Sequence, residues 1–196
     1  MKFRTAILGV AMLAALAASA NAGSNTVGVT GGLGIPTGNY GDAASKGWHL
    51  GATGTHMVND QWGFGGDVAY HAWSATDDVN AAAEALFGTG SEFKWSAIQA
   101  TAHAIMAIPT QSNVKPYAKV GMGLYNVDLK LNSPSGDASQ SKSKLGFNVG
   151  GGVNFPTKSN MTWGLSGAYH MVQAKDDLGS DVNFFQVGVD VLWGSR

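Results

Sequence analysis

Apolar and polar residues alternate along eight segments of the chain that follow residue 22. In the segment 62–71, the bulky apolar side chains fall on one face, and glycine, alanine, aspartate and histidine fall on the other. The segments 145–155 and 185–193 repeat this alternation. A period of two residues predicts β-strands, because successive side chains of a strand point to opposite faces.

The predicted strands and their connections follow a regular order. We predict strands at 26–36, 48–58, 62–74, 94–108, 115–131, 142–156, 161–172 and 181–193. The shorter connections are 59–61, 110–114 and 158–160, and they alternate with longer ones at 37–47, 75–93, 132–141 and 173–180. An even-stranded membrane barrel has short turns at one end and longer loops at the other. The predicted fold is therefore all-β, an eight-stranded antiparallel up-and-down transmembrane β-barrel.

The polar face of the strands is the one we expect inside the barrel. Its members are Gly63, Gly65, Asp67, His71, Gln99, Thr101, His103, Lys119, Gly121, Gly123, Asn148, Asn154, Gln186 and Asp190. The main alternative is a lipocalin-like barrel, which is soluble and keeps its apolar face inside. Period two alone does not say which face is buried, but this polar set is a poor lining for an apolar pocket.

The first 22 residues read as a cleaved signal peptide. Lys2 and Arg4 form a positive start, and the apolar run 6–18 is too short to span a bilayer as a helix. Ala20 and Ala22 form a small-x-small cleavage site, so we expect one mature domain at 23–196.

Composition excludes several classes of protein. The chain has no cysteine, which excludes disulfide scaffolds and cysteine-based metal sites. Its formal net charge is −1, and no basic patch stands out, so nucleic acid is not an expected partner. The 28 glycines suit a small barrel, in which crowded inner faces bring backbones close together.

Two places depart from the simple strand pattern. In the second long loop, Asp78 can cap a short helix over 79–87 that Gly88 ends, and the alternative is a disordered loop tip. In the fifth strand, the apolar residues are at even-numbered positions up to Leu124 and at odd-numbered positions from Tyr125 onward. Either a β-bulge lies there, or the hairpin has left the membrane at that point.

Aromatic residues gather near the strand ends, as in the two interfacial girdles of membrane proteins. Those beside the short turns are Trp62, Tyr117, Phe155, Trp163 and Trp193. Those toward the long loops are Trp48, Tyr70, Trp73, Phe93, Trp95, Tyr169 and Phe184.

The last strand carries the most specific motif, with Gln186, Gly188, Val191 and Trp193 in the order polar, x, Gly, x, x, hydrophobic, x, aromatic. It is similar to the C-terminal assembly signal of the small eight-stranded outer-membrane proteins of the OmpA/OmpX/OmpW type, although three residues follow the aromatic here. The resemblance covers the whole mature region. It implies insertion by the barrel-assembly machinery into the outer membrane of a Gram-negative bacterium. There we expect a monomer in contact with outer-membrane lipid and lipopolysaccharide.

The inward polar residues are the first candidates for function. The network comprises Asp67, His71, Gln99, His103, Lys119, His170, Gln186 and Asp190. Charges in a narrow lumen must pair or be wetted. One interpretation is a plug of ion pairs and hydrogen bonds, since the interior of an eight-stranded barrel is just wide enough for side chains to fill. The other is a gated, water-lined path with histidine as a switch.

Catalytic and metal sites are not expected. His71, Ser74 and Asp77 lie near one rim of the predicted barrel. Because His71 and Ser74 have opposite strand parity, their side chains should point to opposite faces of the sheet and cannot form one catalytic site. His49 and His56 also fall on opposite faces, so no metal, cofactor or catalytic residue is predicted.

The long loops are mostly acidic, and this has two interpretations. The charges either only keep the loops solvated, or they bind divalent cations or a cationic ligand. The acidic loop residues are Asp42, Asp77, Asp78, Glu84, Glu92, Asp137, Asp176, Asp177 and Asp181, against Lys46 and Lys175. Function on such scaffolds tends to lie in loops.

Three functional hypotheses follow from the barrel and the resemblance. We expect a non-enzymatic protein that contributes to envelope integrity and presents its loops for interaction. The alternative is a narrow OmpW-like path for small or hydrophobic solutes, for which an apolar upper lumen is needed, with Tyr125, Phe184 and Leu192 as inward candidates. The third is a lipid A-modifying enzyme, which requires an inward-facing triad at the rim.

Overall fold

The computed structural model describes residues 24–175 and 180–194. The strands are β1 (Asn25–Thr37), β2 (Gly47–Met57), β3 (Trp62–Ser74), β4 (Glu92–Ala107), β5 (Lys115–Asn132), β6 (Ala138–Pro156), β7 (Met161–Val172) and β8 (Val182–Gly194). Two helices lie in the connections, α1 (Asn39–Ala43) and α2 (Asp77–Phe87). The predicted signal peptide with Ala20 and Ala22, and the loop residues Asp176 and Asp177, lie outside the described residues.

All eight strands form one closed antiparallel barrel, which confirms the predicted fold. Each strand pairs with the next along the chain, and β8 closes the barrel by pairing with β1 from Thr26↔Gly194 to Thr37↔Asn183. Closure pairs neighbouring strands all the way around the barrel, as a sheet in lipid requires. At the loop end, residues 138–145 of β6 extend beyond β7 and pair with β5 alone. We call the end with connections 58–61, 108–114 and 157–160 the turn end, and the opposite end the loop end.

The outward face carries an apolar belt around the barrel, so the lipocalin alternative is wrong. Its large exposed side chains include Val27, Val29, Leu33, Leu50, Phe64, Val120, Met122, Leu124, Leu145, Phe147, Val149, Leu165, Val187 and Val189. Water would penalise so continuous an apolar belt, whereas lipid tails accommodate it. Among the described residues, no helix is long and apolar enough to cross a membrane.

The fifth strand contains no bulge, so that alternative is wrong. Its pairing with β4 is regular from Glu92↔Asn132 to Ala107↔Tyr117. The odd-numbered positions therefore stay inward along the whole strand, and both Tyr125 and Val127 are buried. The parity shift marks the point at which the inward face itself becomes apolar.

The connection between β5 and β6 is shorter than predicted. Pairing of these strands continues to Leu131↔Ala138, which leaves only 133–137 as the loop instead of 132–141. The third loop-end connection is thus a tight tip on a long hairpin, and the expected alternation of short and long connections fails there.

The loop-end helices differ from expectation in two ways. Helix α2 begins at Asp77 after Thr76, so Asp78 lies in its first turn and is not its cap. Gly88 ends that helix with φ 98, as predicted, because glycine adopts this backbone conformation without strain. Helix α1 was not predicted, and it follows Gly38 with φ 59.

Candidate functional site

A packed apolar core closes the lumen at the loop end, and we call it the cap. Its buried members are Tyr40, Ala44, Trp73, Ala97, Tyr125, Val127, Val172, Ala174, Val182 and Phe184, with Trp95 packed against them. These residues come from inward positions of five strands and from the first and fourth loops. The cap is the largest departure from the polar lumen that the sequence suggested.

Tyr40 joins the first loop to the cap. Its ring, carried by α1, meets Trp73 and Trp95 edge-on, with centroid distances of 5.7 Å and 5.3 Å. Edge-to-face aromatic pairs at such distances are favourable beyond their buried area. Burial raises the pKa of the Tyr40 hydroxyl well above its usual value, so this side chain stays uncharged.

A layer of buried histidines lies directly below the cap. His170 stacks on Phe184 at 4.4 Å between ring centroids, and His71 stacks on Trp73 at 5.5 Å. The Tyr125 hydroxyl lies 2.9 Å from His170 Nδ1. These contacts place imidazole rings between the apolar cap and the polar groups below.

Hydrogen bonds fix the two central histidine rings. His71 Nε2 donates to Gln99 Oε1 at 3.0 Å, and Gln99 Nε2 donates to Thr101 Oγ1 at 3.0 Å. Asn148 Nδ2 donates to the Tyr125 hydroxyl at 3.3 Å. Side chains of β4, β5 and β6 therefore hold the two histidine rings in one arrangement.

The ion cluster comprises Asp67, His103 and Lys119, on the β3–β5 wall of the lumen. Lys119 Nζ lies 3.2 Å from Asp67 Oδ2, and His103 Nδ1 lies 3.0 Å from the same oxygen. Thr55 Oγ1 lies 3.1 Å from His103 Nε2. The carboxylate is thus paired on two sides, as a charge in a narrow lumen must be.

A cavity of about 220 Å³ fills the lumen from the histidine layer to the turn end. Residues at its upper end include Gln99 and His170, and residues at the strand ends include Thr26, Met57, Lys115 and Leu192. Leu192 was predicted in the upper lumen, and this prediction is wrong, because β8 runs from the loop end to the turn end and Leu192 is near its finish. The cap thus closes the lumen at the loop end, and the cavity extends toward the turn end.

All eight residues of the predicted polar network face inward, but they do not form one network. His71, Gln99 and His170 belong to the histidine layer, and Asp67, His103 and Lys119 form the ion cluster. Gln186 and Asp190 line the cavity on the other wall. Sequence reasoning missed His49, buried beside His71 with ring centroids 5.7 Å apart, although its parity on β2 was a usable signal.

Four residues assigned to the aromatic girdles face inward instead. Tyr117 lines the cavity, because it shares the parity of Lys119 on β5, and Trp95 packs on the cap. Trp73 and Phe184 are also members of the cap and not of a girdle. The outward aromatic positions are Trp48, Trp62, Tyr70, Phe155, Trp163, Tyr169 and Trp193.

The C-terminal motif lies on β8 with its four residues divided between the faces. Gly188 faces inward near Thr30 and His49, and Gln186 lines the cavity. Val191 and Trp193 have the opposite parity, and Trp193 is exposed on the lipid side. The motif's role in assembly stays a prediction.

The rim residues considered for catalysis are separated by the barrel wall. His71 is fully buried in the lumen, whereas Ser74 is exposed and has the opposite parity. In the part of the chain that the structure describes, no group of three histidine or acidic side chains is placed to hold a metal ion.

Residues 8–191 match the family model described as the outer membrane protein beta-barrel domain. The chain belongs to this family. It is therefore an integral β-barrel protein of the bacterial outer membrane. None of the curated proteins matches the chain.

Three solved outer-membrane barrels share the fold. Neisserial surface protein A is 18% identical, with 87% of this chain and 96% of that one covered and a TM-score of 0.58. OprG from Pseudomonas aeruginosa is 16% identical, with 89% and 97% covered and a TM-score of 0.54. A major outer membrane protein of Thermus thermophilus is 9% identical, with 88% and 99% covered and a TM-score of 0.59.

Proposed function

We propose that this outer-membrane protein is a closed, non-enzymatic barrel that contributes to envelope integrity and holds ordered loops toward the outside. The observation that carries this proposal is the cap, which fills the loop end of the lumen with buried side chains. Short turns of outer-membrane barrels face the periplasm and longer loops face outward. The sealed end is then the external one.

The interior supports a barrel that does not conduct. An eight-stranded barrel has an interior just wide enough for side chains to fill. Here the cap, the histidine layer and the ion cluster follow one another down the lumen, and the ring of Phe184 is fully buried at the first of these levels. An ion crossing the barrel would have to separate packed aromatic rings and then a paired carboxylate.

The loops are fastened to the barrel and to one another. Ser45 N donates to Ser74 O at 2.8 Å, and Thr76 N donates to Ala43 O at 3.1 Å, which ties the first loop to the second. Helix α2 presents Leu86 with 77% of its surface exposed, and Ser135 Oγ donates to Phe87 O at 3.3 Å. Leu86 and its chain neighbour Phe87, which is 42% exposed, are the apolar side chains that this loop would offer to a partner.

The transport alternative requires an open apolar passage. The apolar upper lumen that it predicts is present, but its side chains pack on one another and are buried rather than lining a path. Opening it would require withdrawal of Tyr40 from between Trp73 and Trp95. The closed barrel is therefore the function that the geometry favours, with lipopolysaccharide and the assembly machinery as expected partners of a monomer.

Single-channel recording of the refolded protein in a planar bilayer tests the closed barrel. The wild type should give no steady openings. Tyr40→Ala removes the loop contact with the cap and should give brief openings, while Asn39→Ala, its exposed neighbour on α1, should stay silent. Heat-dependent gel mobility establishes that each variant has closed its barrel.

A second readout addresses the envelope role of the same proteins. A strain without the protein should become more sensitive to detergent, and expression of the wild type or Asn39→Ala should restore resistance. Steady wild-type openings that Lys119→Ala alters would favour the transport alternative and contradict the closed barrel. Unchanged detergent sensitivity of the deletion strain would contradict the role in envelope integrity.

A further inference from the structure

The wall of the cavity opposite the ion cluster carries four side chains that we call the acceptor cluster, namely Thr30, Asn154, Gln186 and Asp190. They come from β1, β6 and β8. Thr30 and Asp190 are direct register partners, and Gly164 pairs with Asp190 on one side and with Asn154 on the other. The barrel topology thus brings these groups to one side of the lumen.

Polar atoms of the acceptor cluster lack partners among the described residues. Thr30 Oγ1, Asn154 Oδ1 and Gln186 Oε1 are all buried without a hydrogen bond. Asp190 is only 6% exposed, and its carboxylate makes no hydrogen bond or ion pair with the residues that the structure describes. Buried polar atoms are nearly always partnered in folded proteins. Several such atoms on one cavity wall therefore point to a ligand.

Glycine lets the side chains of the acceptor cluster lie against the barrel wall. A Cβ at Gly164 would lie 2.8 Å from Asn154 Oδ1 and 3.1 Å from Asp190 Oδ2, so any larger residue there would displace both oxygens. A Cβ at Gly188 would lie 3.0 Å from Thr30 Oγ1. The room for a ligand is the cavity of about 220 Å³ that these residues line.

We propose that the acceptor cluster binds the primary ammonium group of a small aliphatic amine that reaches the cavity from the periplasm. The cluster offers a carboxylate, two amide carbonyl oxygens and a hydroxyl, which match the three donors of an –NH₃⁺ group. Lys119 is paired with Asp67, and the described residues form no ion pair with Asp190. Below the cluster, Leu192, Ile105 and Met57 line the cavity and provide an apolar path for a short alkyl chain.

Titration of the full-length refolded barrel with n-butylammonium, followed by amide NMR, tests this site. Amide signals of Thr30, Gly164, Gly188 and Asp190 should shift, while n-butanol, of similar size and without charge, should leave them unchanged. Asp190→Asn keeps the shape of the side chain and removes its charge. Because charge-assisted hydrogen bonds contribute more than neutral ones, it should weaken binding about ten-fold or more.

Thr55→Val is the matched control, because Thr55 lines the same cavity but contacts His103 and not the acceptor cluster, and the variant should leave butylammonium binding unchanged. Heat-dependent gel mobility shows that both variants fold. No saturable shift in the wild type, or equal binding by wild type and Asp190→Asn, would overturn the proposal. Displacement of butylammonium by an equal concentration of K⁺ or Ca²⁺ would overturn the assignment to an amine. None of these outcomes depends on whether the barrel conducts.

Discussion

The two halves of the lumen are built from the same inward-facing strand positions but from opposite kinds of side chain. On β5, inward positions carry Lys119 toward the turn end and Tyr125 and Val127 toward the loop end. On β8, they carry Asp190 toward the turn end and Phe184 toward the loop end. The loop half packs like the core of a soluble domain, and the turn half keeps a polar cavity.

The polarity of the inward side chains therefore changes along the barrel axis, in addition to the difference between the inner and outer faces of the wall. Burial of apolar groups stabilises the loop half, because packing excludes water there. In the turn half, Lys119 and His103 instead pair with Asp67, since an unpaired buried charge is costly. Substitutions in the two halves should therefore lower the free energy of unfolding by different amounts. Only in the turn half should a second substitution, of the charged partner, reduce the loss.

The largest effect should come from Phe184→Ala in the cap. Phe184 is 0% exposed and its ring lies 4.4 Å from His170 and 4.9 Å from Trp73 between centroids. Truncation leaves a cavity, and we expect the free energy of unfolding to fall by about 3–5 kcal/mol. Urea unfolding of the protein in lipid vesicles, followed by tryptophan fluorescence, measures this loss.

Phe185→Ala is the matched control for the cap, because it makes the same change one residue further on β8. Its ring is 40% exposed on the outward face, where lipid fills the space that truncation leaves. We expect a loss of about 1–2 kcal/mol. Equal losses from the two variants would mean that the cap is not a packed core.

A smaller effect should follow from Lys119→Ala in the ion cluster. The variant leaves the Asp67 carboxylate with His103 and Thr53 as partners, and the cavity gives water partial access. We expect the free energy of unfolding to fall by about 1–3 kcal/mol. The same substitution in an Asp67→Asn background should cost clearly less, and this double-mutant cycle isolates the interaction of the pair.

Lys115→Ala is the control on the same strand, since Lys115 is exposed near the turn end. A surface substitution of this kind should change the free energy of unfolding by about 0.5 kcal/mol or less. Similar losses from Lys119→Ala and Lys115→Ala would show that the ion cluster does not stabilise the turn half.

The fold could be predicted from the sequence because it rests on local periodicity. Alternation of period two locates strands and their lipid face without any knowledge of distant contacts. The same parity placed the eight polar residues inside. Parity also predicts that Tyr117 and Trp95 face inward, as the structure shows. Their position near the strand ends had suggested the girdles instead.

The cap could not be predicted from local pattern. Tyr40 lies in a loop, and nothing in the neighbouring residues 38–43 indicates that its ring inserts between Trp73 and Trp95. The parity change at Tyr125 was visible, but its meaning depends on what other strands place at the same depth. Long-range packing of this kind follows from the strand register, which single-sequence reasoning does not supply.

The smallest effect should come from Glu92→Gln at the rim of the loop half, outside the lumen. Hydrogen bonds from Lys94 and Asn132 lower the pKa of the Glu92 carboxyl. A lowered folded-state pKa stabilises the protein above the usual glutamate pKa of about 4.3, and this contribution is lost as pH falls through the folded-state value. Because the pair is well exposed, solvent screens it, and we expect a change of about 0.5 kcal/mol or less at pH 7. Urea unfolding of wild type and Glu92→Gln at pH 7 and pH 3 should show a smaller difference at the lower pH. A Glu92→Gln loss as large as that of Lys119→Ala would place the decisive charges at the rim and contradict the division between the two halves of the lumen.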